Sequence, residues 1–215
     1  MLIVSEEHPE NFGPLTQTRA TFELRYGALC PLDRALQITN EVALRARPEL
    51  EEYLRAKTGL PVNEDIEGEP FPGLPAHTPW EILGRSDAYI AADFHEWDKH
   101  HTNHLDTALS NGVHLIGDKR DIFIGQGAVV QPGCVLDATG GPIILAERVQ
   151  VKFSQLQGPV FVGAGSVLDG ARLRAGTSLG PNCKVGGEVS ASIFQSRVNK
   201  AHDGFVGHTW AGRWV

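Results

Sequence analysis

The chain has 215 residues, 41% hydrophobic and 21% charged, proportions that exclude wholesale disorder and allow one large domain or two small ones. Its net charge of −7 argues against nonspecific nucleic-acid binding, which needs clustered positive charge. Cys30, Cys134 and Cys183 are odd in number and form no CxxC, which points away from a disulfide framework and toward a reducing cytoplasm.

Residues 1–100 hold 18 acidic against 9 basic side chains and six of the 24 glycines; residues 101–215 hold 8 against 10 and the remaining 18 glycines. Two regions built on different rules are therefore expected, a short α/β region with a linker over 1–100 and a second domain over 101–215. No apolar run approaches the roughly 20 residues of a membrane span. The amino terminus turns acidic by its sixth residue, unlike a signal peptide.

In the first region Leu2-Ile3-Val4 reads as a buried strand, and the turn-rich Gly13–Arg19 leads into Phe22–Arg25, a strand or short helical turn. Pro31–Leu36 opens a helix and Glu41–Arg45 reads as a strand. Pro48 opens a second helix that stops at Gly59. The chain is then loop-like through Pro75, and Thr78 caps a short helix at Pro79–Leu83. Arg19 and Arg25 beside a turn read either as a phosphate clamp or as surface arginines. No glycine-rich phosphate loop accompanies them, which speaks against a dinucleotide fold. In His95–His104, His100 and His104 have metal-ligand spacing on a helix, but no cysteine or close carboxylate completes a set. The reading preferred is a solvated linker without a metal.

From about residue 116 an aliphatic residue recurs every six positions: Ile116, Ile122 or Ile124, Val130, Leu136, then Ile144 after an insertion at Gly140-Gly141-Pro142. The frame continues through Gln150, Leu156, Val162, Leu168, Leu173, Leu179 and Val185. Four residues beyond most of these stands a compact residue: Ala128, Cys134, Gly140, Ser154, Val160, Ser166, Thr177, Cys183 and Val189. This period fits neither an amphipathic helix nor a two-faced strand. It fits a mainly β fold, a left-handed parallel β-helix of about five coils at 18 residues each, stacked because no coil buries its apolar side alone.

The hexads resemble those of the left-handed β-helix acyltransferases. Pro14–Arg19, Phe22–Gly27, Thr78–Leu83, Cys183–Val189 and Asn199–His208 resemble a narrower bacterial family of sugar-nucleotidyltransferase-like proteins. That family is related to the bifunctional UDP-N-acetylglucosamine diphosphorylase/glucosamine-1-phosphate N-acetyltransferase. The likeness covers most of residues 12–30, 43–95 and 115–215. The chain departs from the pattern in an abbreviated stretch from Glu64 to Pro79, in the missing glycine-rich nucleotide turn, and in ending at Val215, where relatives continue with coils that help hold acetyl-CoA.

The resemblance implies transfer of an acetyl group from acetyl-CoA to an amino-sugar phosphate. The alternatives are sugar-1-phosphate nucleotidyl transfer with an NTP and Mg²⁺, or a non-catalytic trimer that binds sugar nucleotides. It implies a homotrimer, His202 as catalytic base, Phe205 shaping the pocket, and Asn199, Lys200 and His208 near the substrate. Arg174 corresponds to a sugar-phosphate ligand, with Lys184 standing in for a basic residue missing near Ser190.

Overall fold

The computed structural model describes all 215 residues, which divide into two compact units: Met1–Arg25 with Leu29–Ile82, and Tyr26–Ala28 with Leu83–Val215. No helix is long and apolar enough to cross a membrane.

The first unit is a small α/β layer. Its strands β1 (Leu2–Ser5), β2 (Val42–Arg45) and β3 (Glu69–Phe71) form a parallel sheet in the order β2-β1-β3. Helix α1 (Pro31–Ile38) links β1 to β2, and α2 (Glu51–Thr58) links β2 to β3, because parallel neighbours need crossover connections. Pro31 opens α1, and Gly59, at φ +69°, ends α2 in the left-handed conformation that glycine adopts without steric cost. Val4, Phe22, Leu32, Val42, Leu44 and Leu54 form the buried core. Phe22 lies in a single helical turn, Thr21–Glu23. The expected loop after Pro61 contains β3, whose Pro70 hides the strand from its composition.

The second unit is a parallel β-helix of about six turns. The first face carries Ile122–Ile124, Ile143–Leu145, Val160–Val162, Thr177–Leu179, Ile193–Ser196 and Trp210–Arg213 in one six-stranded sheet. The second carries Val129–Val130, Gln150–Lys152, the starts of Val167–Leu173 and Lys184–Ser190, and Asn199–Lys200. The third carries His114–Ile116, Val135–Asp137, Gln155–Gln157, the ends of those two long strands, and Phe205–Gly207.

Coil length varies about the expected 18 residues: Val160 pairs with Thr177 and Val167 with Lys184, steps of 17, whereas His114 pairs with Val135, a step of 21. The first face carries six strands, one per turn, where about five coils were expected. The insertion at Gly140–Pro142 lengthens one step to 21, from Ile122 to Ile143.

Leu136, Leu156, Leu173 and Val189 stack in register along one interior row, and Val130, Val151, Leu168 and Val185 along another, all buried. Three frame positions leave that interior. Ile116 is exposed at the first coil, Gln150 yields its place to Val151, and Ile144 alternates outward between Ile143 and Leu145. The compact residues act as corner ties. The Ser154 hydroxyl donates to the Lys152 carbonyl and accepts from the Ala171 amide, and Ser166 does the same between Gly180 and Cys183. A larger side chain there would separate the coils.

The outer row of the first face, Phe123-Ile144-Phe161-Ser178-Ile193, is buried. Helix α3 (Ser86–His100) packs on this face, with the Trp97 ring 5.2 Å from Phe161 and 6.3 Å from Phe123. The stretch expected to be a solvated linker is therefore largely a docked helix. Ile90, Phe94 and Trp97, spaced four and three apart, supply the buried stripe that its histidines obscured. Beside it the Ser178 hydroxyl donates to the Gly27 carbonyl at 2.6 Å, and the Ala28 amide donates to the buried Asp93 carboxylate at 2.7 Å.

Candidate functional site

A cleft of about 710 Å³ opens on the second face, where it turns toward the third. Its polar lining comes from Gln150, Lys152, Asp169, Lys184, His202 and Asp203. Strand register explains how these meet. Gln150, Val167 and Lys184 stack in one outward row, and Lys152 pairs with Asp169 in the next.

The overhang that makes the cleft is a corner-length mismatch. Lys184 and Glu188 are four residues apart, whereas their partners one coil on, Asn199 and Phe205, are six apart. The two extra residues carry His202 and Asp203 outward. The tight corner beneath requires glycine, because a Cβ on Gly186 would lie 2.6 Å from the Ala201 carbonyl oxygen.

Within the cleft the side chains of Lys152, Asp169, Lys184, His202 and Asp203 make no hydrogen bond or ion pair with the protein. The neighbouring cations are already engaged. The Lys200 ammonium donates to the carbonyls of Gly186 and His202 at 2.6 and 2.7 Å, so it braces the overhanging loop. Arg174 lies on the third face and donates to Glu188 at 3.1 Å and to Gln157 at 2.7 Å, while Arg172 pairs with the other Glu188 oxygen at 3.6 Å.

Of the residues singled out from sequence, His202 and Lys184 share the cleft and Lys200 braces it. Asn199 lines an adjoining hollow of about 440 Å³ with Lys184, Asn182 and Arg197. Phe205 stands on the third face, exposed, with its ring folded over Gly207. His208 occupies the following corner at φ +47°, its amide donating to the Ser190 carbonyl. The reading missed Lys152, Asp169 and Asp203. The first two meet through a 17-residue step that the hexad frame leaves open, which places Lys152 one coil from Asp169.

In the first unit the guanidinium that organises the carboxyl ends of β1 and β2 belongs to Arg47. It pairs with Glu6 at 2.6 Å, donates to the Thr16 carbonyl, and reaches the Arg19 carbonyl at 3.3 Å. Arg19 joins that arrangement through its backbone oxygen.

No group of three or more His, Cys, Asp or Glu side chains is placed to hold a metal ion. No protein-family model matches the chain, and no curated protein matches it.

Proposed function

We propose that this protein is an acetyl-CoA-dependent N-acetyltransferase acting on an amino-sugar phosphate, a relative of the glucosamine-1-phosphate N-acetyltransferases, working as a homotrimer. The observation that carries the reading is the cleft on the flank of a parallel β-helix that gathers His202, two unengaged lysines and two unengaged aspartates. That charge set suits a substrate bearing both a phosphate and an amino group: lysines complement the first and aspartates the second.

In this reading His202 takes the proton that the amine sheds as its nitrogen attacks the thioester carbonyl carbon. The N–C bond forms, the C–S bond breaks, and the released thiolate takes up a proton. The brace from Lys200 to the His202 carbonyl holds the backbone of this loop beside the cleft, which keeps His202 near the reacting groups.

The test is thiol release from acetyl-CoA in the presence of glucosamine-1-phosphate. His202→Ala is expected to lose at least about 10²-fold, the low end for a general base, while His208→Ala keeps most of the rate. Equal rates for His202→Ala and the parent protein remove the base assignment. No thiol release from the folded parent overturns the reading.

A further inference from the structure

Where the second face turns into the third, successive coils place Gly133, Phe153, Gly170, Gly187 and Gly204 in left-handed backbone, at φ +81°, +47°, +63°, +68° and +122°. Four of the five are glycine, which reaches this conformation without a Cβ clash, and the fifth is a bulky aromatic that does not. Phe153 gains nothing from packing either. It is 74% exposed, more than any other large apolar side chain of the chain. Backbone conformation and burial both favour glycine at this position, so neither accounts for the ring.

Its position supplies an account. Phe153 follows Lys152 directly, and the ladder that pairs Lys152 with Asp169 and Gln155 with Arg172 sets it beside Gly170. Lys152, Asp169 and Gly170 all line the cleft, so Phe153 is a direct neighbour of its lining, which also includes Lys184.

We propose that Phe153 is a stacking platform for the planar heteroaromatic ring of a nucleotide-type ligand whose phosphates are held by the adjacent Lys152, which leaves Lys184 for the phosphate of the amino sugar. Asp169 and Asp203, in the same cleft, are left for the ammonium of a second substrate. This rests on reading the cleft as a ligand site. The chemistry is a base joined to a diphosphate, and it has two sources: a coenzyme A-type carrier, with adenine on the ring, or a sugar nucleotide, with a pyrimidine there.

The experiment compares the full-length protein with Phe153→Gly by calorimetry against coenzyme A, UDP-N-acetylglucosamine and inorganic pyrophosphate, with thermal melts and light scattering alongside. The variant restores the corner's preferred residue, so its melting temperature is expected to match or exceed that of the parent. Its affinity for pyrophosphate should be unchanged, and its affinity for the nucleotide ligand should fall about 10-fold, in line with loss of one base–aromatic stack. The ligand that shows the loss identifies the source. Unchanged affinity for both nucleotides removes Phe153 and leaves the cleft intact. An equal loss for pyrophosphate, or a smaller particle at unchanged affinity, also overturns the stacking role, the second by assigning the ring to contact between copies. A parent protein that binds none of the three probes overturns the cleft reading, and the platform with it.

Discussion

Lys200 donates from its ammonium to the carbonyl oxygen of Gly186, one coil away, at 2.6 Å. The same ammonium holds the His202 carbonyl at 2.7 Å, so one side chain ties the longest part of this corner to the shortest. Lys200→Met keeps the apolar stem and removes both bonds. It should lower stability by about 1–2 kcal/mol in urea unfolding, near the value of one charge-assisted hydrogen bond at a partly exposed site. Amide exchange at residues 201–204 should accelerate, while exchange in the Leu156 and Leu173 strands stays slow.

Two glycines separate crowding from backbone strain. A Cβ on Gly180 would lie 1.9 Å from the Gln195 carbonyl oxygen of the next coil, whereas one on Gly170 meets nothing within 4 Å but sits at φ +63°. Gly180→Ala should cost about 3 kcal/mol or more, because the coils must part to admit it. Gly170→Ala should cost only about 1 kcal/mol, the penalty of a left-handed alanine. Equal losses in denaturant titrations would contradict the close stacking.

Engaged and unengaged cations give a contrast for binding. Lys184 lines the cleft without a protein partner, whereas Arg174 is committed to Glu188 and Gln157 on the third face. Lys184→Ala should weaken binding of glucosamine-1-phosphate by about 1.5–3 kcal/mol, the scale of a hydrogen bond to a charged group, and Arg174→Ala should leave it near the parent value. Calorimetry decides. The opposite ranking would move the phosphate site to the third face.

In the first unit Lys57 pairs with the buried Glu23 carboxylate. Burial pulls the lysine's pKa down, but the hydrogen bonds and charges of Glu23 and then Tyr53 together more than offset this, leaving it above the ordinary 10.5. A raised value favours the folded state fully below the unfolded pKa, and that contribution is lost as pH rises through the folded one. The stability gap between the parent protein and Lys57→Met should therefore stay constant up to about pH 10 and shrink at higher pH. A gap that instead widens with alkalinity would show that the pair is not held in solution.

The sequence by itself determined the solenoid. The recurrence of aliphatic residues from Val130 to Val185, with compact residues four positions on, can be satisfied only by stacking short strands around one interior. It also determined most of the first unit's elements, through Pro31, Pro48 and Gly59.

Tertiary structure decided what local pattern cannot carry. A hexad frame leaves the coil length ambiguous by one residue, and 17 rather than 18 sets which outward side chains stack, so Lys152, Asp169 and Lys184 met only in three dimensions. Helix α3 looked polar by composition, because only its Ile90-Phe94-Trp97 stripe meets the β-helix. His202 and Lys200 stand two apart in sequence, the first read as a catalytic base and the second as a residue near the substrate. The length of one corner decided that the first lines the cleft while the second is spent on backbone carbonyls, since an ammonium that can reach two carbonyl oxygens is bound there.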